Sequence, residues 1–258
     1  MKKSLCYLST FIILTCLSSG CRILSGNDKD ARPAGFVSEQ PPSKEEIALT
    51  NTALAGLAEI APPKYKNLSE AGVDSDMVIR GKVVGLDYIS DESGSIHTRE
   101  FIEVLEVLSG EAQVGDVIEA RVDGGYILIS EYLNACNEDK AETARLLFFR
   151  EVSEEDYEKK YYSKYIDGEK LAIVGDESIY LLKVDSRVNT DQDSKFYVRT
   201  DGPMGEYFLC HDGQYLVPDY VHSPDLIRRV INGEETKDYE GYTKISYEEL
   251  LTRLGVGN

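Results

Sequence analysis

From Asp76 onward apolar side chains fall at every second position, the period of a strand with one face turned inward. Met77 to Leu86 predicts a first strand, with Gly81 and Gly85 as bulges or bends. A turn-rich loop, Asp91 to Ser95, leads to a second strand from Thr98 to Leu108. Phe101, Glu103, Leu105 and Val107 share one of its faces; Ile102, Val104, Glu106 and Leu108 share the other. Ser109 to Asp116 is a connector, and Val117 to Val122 a third strand closed by Gly124-Gly125. Ala144 to Val152 predicts a fourth. Its Leu146-Leu147-Phe148-Phe149 run is apolar on both faces, as in a strand covered on both sides. Short strands follow at Lys170 to Val174, Ser178 to Val184, Lys195 to Arg199, Glu206 to Leu209 and Gln214 to Val217. Asp212-Gly213 between the last two is a tight-hairpin signal.

Helical spacing appears in fewer places. Ser43-Lys44-Glu45-Glu46 has the capping-box pattern, and Ile47, Thr50, Leu54 and Leu57 then predict an amphipathic helix within 44–63, running to about Ile60 and stopped by Pro62-Pro63. Ser153 caps a short helix that places Tyr157, Tyr161 and Tyr165 in a stripe suited to core packing. Ser223-Pro224-Asp225 starts a helix to about Ile231, with Pro in its first turn. Ser246-Tyr247-Glu248-Glu249 is a second capping box, opening a helix to Leu254 that Gly255 ends. No repeat of fixed period is present.

The start of the chain is patterned differently. Lys2 and Lys3 precede an almost uninterrupted apolar run, Leu5 to Leu17, and no acid occurs before Asp28. That is the charge and length pattern of a secretory signal peptide, too short for a good permanent span. The run ends in Leu17-Ser18-Ser19-Gly20-Cys21, which resembles the lipobox of bacterial lipoproteins, although Ser18 stands where that family usually has Leu. The resemblance implies cleavage between Gly20 and Cys21, a diacylglyceryl thioether on Cys21, and attachment to a bacterial cell or outer membrane. Two or three acyl chains anchor stably where one does not. The alternative is an ordinary signal peptide that leaves Cys21 a free thiol. Residues 21–43, rich in Gly, Pro, Ser and charge, then read as a disordered tether. Residues 64–258 hold a β-rich globular domain.

Composition changes this picture in three ways. Without residues 1–20 the chain keeps 26 basic and 46 acidic residues, a formal charge of −20 against −18 for the whole, because the leader holds two lysines and no acid. Such a surface repels nucleic acid, is compatible with a basic partner, and equally serves plain solubility. The absence of Trp weakens a sugar-binding reading. Three of the five cysteines lie in the leader or at the cleavage site, which leaves Cys136 and Cys210 as a candidate pair in an oxidising compartment. A bridge would close a loop of roughly 75 residues, worth about 4 kcal/mol in the chain-entropy account. The alternative is two buried thiols.

Catalytic motifs are absent. His97, His211 and His222 lie in no metal-ligating spacing, and no G-x-S-x-G occurs. Asn189, Asp191 and Asp193 alternate like the start of a calcium loop, but Ser194 replaces the sixth-position Gly and Thr200 the twelfth-position Glu. That segment reads first as a solvated acidic loop. No cofactor is expected.

Residues 75–150 carry one further likeness. Asp76-Met77-Val78-Ile79-Arg80-Gly81-Lys82-Val83 is followed by Glu103-Val104-Leu105-Glu106-Val107-Leu108-Ser109-Gly110, then Val114-Gly115-Asp116-Val117-Ile118 and Gly124-Gly125. The order resembles a group of small, uncharacterised secreted or lipid-anchored bacterial proteins, with Ser109 replacing their usual Lys. The resemblance implies a small OB-like antiparallel barrel and carries no catalytic residue. The expected fold is therefore mainly β (β-rich α+β): a barrel-like core at about 75–184, with additional strands and C-terminal helices over 195–255. The expected function is a non-enzymatic, exported, lipid-anchored binding or interaction module for an envelope protein or ligand. The alternative is an extracytoplasmic hydrolase using acidic residues.

Overall fold

A computed structural model describes residues 41–53, 67–166, 171–185, 196–200, 202–217, 224–234 and 243–256. In chain order these form β1 (Ile47–Ala53), α1 (Leu68–Val73), β2 (Met77–Ser90), β3 (Ile96–Ser109), β4 (Val117–Asp123) and β5 (Gly125–Leu128). Next come α2 (Ile129–Ala135), α3 (Glu138–Leu147), β6 (Tyr161–Ile166), β7 (Glu177–Val184) and β8 (Tyr197–Arg199). The chain ends with β9 (Glu206–Leu209), β10 (Tyr215–Val217), α4 (Pro224–Ile231), β11 (Thr243–Ile245) and α5 (Tyr247–Leu254). The protein is β-rich, with two sheets among the described residues. None of the described helices is long and apolar enough to cross a membrane.

The long β2–β3 hairpin is the spine. Its register slips at Arg80/Gly81 and at Val83/Gly85, at the glycines whose spacing predicts bulges. At Gly81 a Cβ would lie 2.4 Å from Ile102 Cγ2 and 3.2 Å from the Glu103 carbonyl, so only glycine lets the strands approach this closely. β4 pairs with β3 and β7 with β2, both antiparallel. β8 then lies parallel to β4 and antiparallel to β7, so the pairings run β7-β2-β3-β4-β8 and return to β7. One edge of β7 carries β2. The other is shared, β9 taking Ser178–Tyr180 and β8 taking Leu182–Val184. β10 and β11 continue outward from β9.

Alternation along these strands turns one set of side chains into a shared core. Met77, Ile79, Ile102, Val104, Ile118, Ala120, Tyr180 and Leu182 form one buried cluster. A charged knot lies beside them. Arg199 Nη2 donates to both oxygens of Glu100 at 3.0 and 3.2 Å, and lies 2.6 Å from Glu206 Oε2. Ser178 Oγ donates to Glu206 Oε1 at 2.8 Å. The three charged side chains are 1–2% exposed. Burial, reinforced by Glu206 and Glu100, pushes the Tyr180 phenol well up.

A second sheet, in the order β1-β6-β5, sits with α2 and α3. Residues 44–63, expected as a helix, begin with one arm of the predicted capping box, the Ser43 amide donating to Glu46 Oε2 at 2.8 Å, and with a turn bond from the Glu46 amide to the Ser43 carbonyl at 3.0 Å. These close a single turn. The chain then leaves extended as β1, parallel to β6, while residues 54–63 lie outside the described part. Ile47, Thr50 and Thr52 are β-branched, which suits this strand better than a helix.

The predicted strand Ala144–Val152 is also corrected. Asn137 Oδ1 accepts from the Lys140 amide, Glu138 and Asp139 occupy the first turn, and Ala141 and Ala144 are buried, so the segment is helical through Leu147. Leu146 and Leu147 are 64% and 66% exposed, whereas Phe149 is fully buried. A four-residue apolar run does not separate strand from helix by periodicity. The helix predicted after Ser153 is a single 3₁₀ turn, and Tyr161 belongs to β6 rather than to a helical stripe. Residues 171–174 form no strand. Asp176 instead accepts from the Ile173 amide and from both Nη atoms of Arg228.

The C-terminal expectations fare better. Ser246 Oγ accepts from the Glu249 amide at 3.1 Å, and Gly255 ends α5 at φ +72°. Gly213, at φ +78°, turns β9 into β10. The candidate Cys136–Cys210 disulfide is absent: both thiols are free and buried. Cys136 packs with Tyr132, Leu133 and Phe149, and Cys210 with Phe208, Leu216, Ile227 and Val230, in separate cores. Burial raises both thiols, Cys210 to about 11, so neither is an activated nucleophile.

Two outcomes follow. Alkylation of the unfolded protein without reductant, read by peptide mass spectrometry, modifies Cys136 and Cys210 fully; a linked peptide pair would contradict the fold. Arg199→Leu strands two buried carboxylates and lowers the urea-derived stability by about 3–5 kcal/mol. A loss below about 1 kcal/mol would mean that water, not Arg199, satisfies them.

Candidate binding face

Alternation along β3 separates two populations. Thr98, Glu100, Ile102 and Val104 turn inward and are buried. His97 and Arg99 turn outward. Pairing with β2 and β4 sets their neighbours: Asp87, Arg99 and Arg121 lie in one row, and Ile89, His97 and Asp123 in the next. Phe101 lies opposite Glu119. Arg121 is opposite Val198 of β8, and its guanidinium sits over the Phe196 ring at 5.8 Å. The outer face of β3 and β4 is thus a band of half-buried charge with an aromatic edge.

Arg99 is fully engaged. Its Nε and Nη2 donate to the two oxygens of Glu119 at 2.7 and 2.9 Å, and its Nη1 to Asp87 Oδ2 at 2.8 Å. It also lies 5.3 Å from the Phe101 ring centroid. The bonds to Glu119, then those to Asp87, raise its already high pKa against the opposing effect of burial. Arg121 is not engaged in this way. Its Nε is buried without a hydrogen-bond partner.

His97 joins this face to the β2–β3 loop. Its Nδ1 is 2.9 Å from Asp123 Oδ1, and its Nε2 is 3.6 Å from Asp91 Oδ2. The other oxygen of Asp91 accepts from the Ser93 amide, Ser93 Oγ and the Ser95 amide, which shapes the loop. Burial acts to raise Asp91, but hydrogen bonds from Ser93, Ser95 and His97 outweigh it and hold the carboxyl below its usual value. The hydrogen bond to Asp123 raises His97 above its ordinary value, with burial and Arg121 opposing. The same loop is tied to α3, because the Asn137 amide and its Nδ2 both donate to the Glu92 carbonyl.

The residues singled out by motif lie elsewhere. Gly20 and Cys21, and the calcium-loop candidates Asn189, Asp191 and Asp193, fall outside the described residues. Cys136 and Cys210 are placed, in the two cores described above. Among the described residues no group of three or more His, Cys, Asp or Glu side chains is arranged to hold a metal ion. Motif reasoning weighed His97 only as a metal ligand and passed over Arg99 and Arg121. The signal that finds them is the alternation of charge with apolar residues in His97-Thr98-Arg99-Glu100-Phe101 and Glu119-Ala120-Arg121-Val122-Asp123. The chain matches no family model, no curated protein and no solved structure.

The His97 links have a pH sign. A pKa raised in the folded state adds stability that is fully present below the unfolded value of about 6.5 and fades as pH rises through the folded one. The difference in urea midpoint between the wild type and His97→Gln is therefore largest near about pH 5.5 and shrinks toward about pH 8. A difference that stays constant with pH would show that His97 contributes packing alone.

Proposed function

We propose that this chain is an exported, lipid-anchored envelope protein of bacteria, held by Cys21, whose ring of five strands is an OB-like barrel serving as a binding module. Three features support the barrel reading. The five pairings return on themselves, β2-β3-β4 is an antiparallel meander, and α2 and α3 fall between the third and fourth strands of the ring. Barrels of this type use the outer face of their second and third strands, with adjoining loops, for ligands. In this ring those strands are β3 and β4. This step is an analogy of fold, and the residues carry the rest.

The observation that carries the binding reading is the band His97, Arg99, Arg121 and Phe196. The charged side chains are held there at fixed spacing on sheet, where rigid strands set their geometry, and Phe196 flanks them just before β8. The export reading stands on the leader alone. The net charge of −20 after the leader disfavours nucleic acid and suits an envelope protein or ligand, a basic one included.

The competing hydrolase needs a carboxyl raised by its site to act as a general acid. Among the described residues the carboxylates with displaced values point the other way: Glu46, Asp91 and Asp212 are held low by their hydrogen bonds. Asp87 and Glu119 are bound to Arg99.

Mass spectrometry of the membrane-extracted protein tests the anchor. The expected N-terminus is Cys21 carrying diacylglyceryl, and a free Cys21 thiol would overturn lipidation. Pull-down from envelope extracts tests the face. Arg99→Gln and Phe196→Ala are expected to release a partner that the wild type retains, and unchanged retention would remove β3–β4 as the binding surface.

A further inference from the structure

The binding reading above leaves the ligand unnamed, and the further step deepens it. The described arginines that are buried or part-buried are Arg80, Arg99, Arg121, Arg199 and Arg228. Four of them meet carboxylates. Arg80 lies between Glu106 and Glu177, Arg99 holds Glu119 and Asp87, Arg199 holds Glu100 and Glu206, and Arg228 holds Asp176. Among the described residues Arg121 has no ion pair, and its Nε, like those of Arg80 and Arg199, is removed from solvent with no acceptor. What sets Arg121 apart from Arg80 and Arg199 is therefore the lack of a described carboxylate on its guanidinium, not the buried Nε.

A guanidinium partly withdrawn from water, with its Nε donor unspent, costs free energy that a bound acceptor returns. The surroundings narrow the acceptor. The Phe196 ring, 5.8 Å from the Arg121 guanidinium carbon, and Val198, in register opposite Arg121, give an apolar shelf. Asp123 lies two residues along β4 and Glu119 two residues back, on the same face. Those two acids, and the acidic chain as a whole, repel a ligand with several negative charges. A single planar carboxylate on an uncharged apolar or aromatic body satisfies both constraints. Its two oxygens match the fork of the guanidinium, and its body covers Phe196 and Val198.

We propose that Arg121, flanked by Phe196 and Val198, is the subsite on the β3–β4 face for a monocarboxylate with an apolar or aromatic body.

The probe is benzoate, titrated into the full ¹⁵N-labelled chain, with acetate and inorganic phosphate as comparators. Benzoate is expected to shift the Arg121 Nε–H signal and the Phe196 and Val198 amides saturably, with Kd on the order of 1 mM for so small a ligand. Acetate, which lacks the body, binds more weakly, and phosphate more weakly still. Arg121→Gln weakens benzoate about 10- to 100-fold, the range of a charge-assisted hydrogen bond. Arg121→Lys, which keeps the charge but loses the fork, falls between. Phe196→Leu weakens benzoate more than acetate, and this arm also serves if the Arg121 variants fail to fold. Arg145→Gln, on exposed α3, changes nothing. Absence of saturable benzoate shifts, equal affinity in Arg121→Gln, or Arg121-dependent phosphate binding tighter than benzoate would each overturn the proposal. If benzoate fails while Arg99→Gln still releases an envelope partner, this inference falls and the binding module stands.

Discussion

The fold depends on how the ring of strands is joined to what lies outside it, and the joint is the guanidinium of Arg199. One side chain on short β8 holds Glu100 from the middle of β3 and Glu206 from the start of β9. β8 is only three residues long and shares the edge of β7 with β9. Backbone pairing alone gives such a short strand little hold. The buried charges specify where it must lie, since any other placement leaves ions without partners in an apolar interior. Ser178 and Tyr180 on β7 complete the surroundings, so the strand whose edge is divided also lines the knot.

The sequence made β2, β3, β4, β7, β9 and both C-terminal helices legible, for a physical reason. Each is governed by local rules: period-two burial, glycines where backbones touch, a serine cap and a left-handed glycine end. The small sheet was not legible. β1 follows a genuine capping turn, and the rule that reads such a turn as a helix start cannot see that Tyr161 of β6 takes the Glu46 carbonyl. The pairing partner lies more than a hundred residues downstream. In α3 the apolar run at 146–149 misled in the opposite sense, because two of its leucines sit in solvent and burial was assumed from hydrophobicity.

The candidate face was legible in outline and passed over in practice. Alternating charges on β3 and β4 are visible as text, but their meaning depends on register. Arg99 and Arg121 look alike in the chain. Only the pairing of β2 with β3 brings Asp87 to Arg99, while Arg121 faces Val198 and Phe196 instead. The cysteines show the same dependence. Compartment logic makes Cys136 and Cys210 candidates for each other, but the chain commits one to the core around α2 and α3 and the other to the core under α4.

The strand at the head of the domain has a mechanical consequence. β1 lies parallel to β6, with Ile47 beside Tyr161 and Ala53 beside Ile166, so the two strands point the same way from the end where the leader side enters. Tension applied through the chain ahead of residue 41 reaches β1 before any other described element. A strand drawn along its own axis loads its rungs together rather than opening them one by one. The segment expected as a helix then takes such a pull in shear along β6, before it reaches the strands that follow.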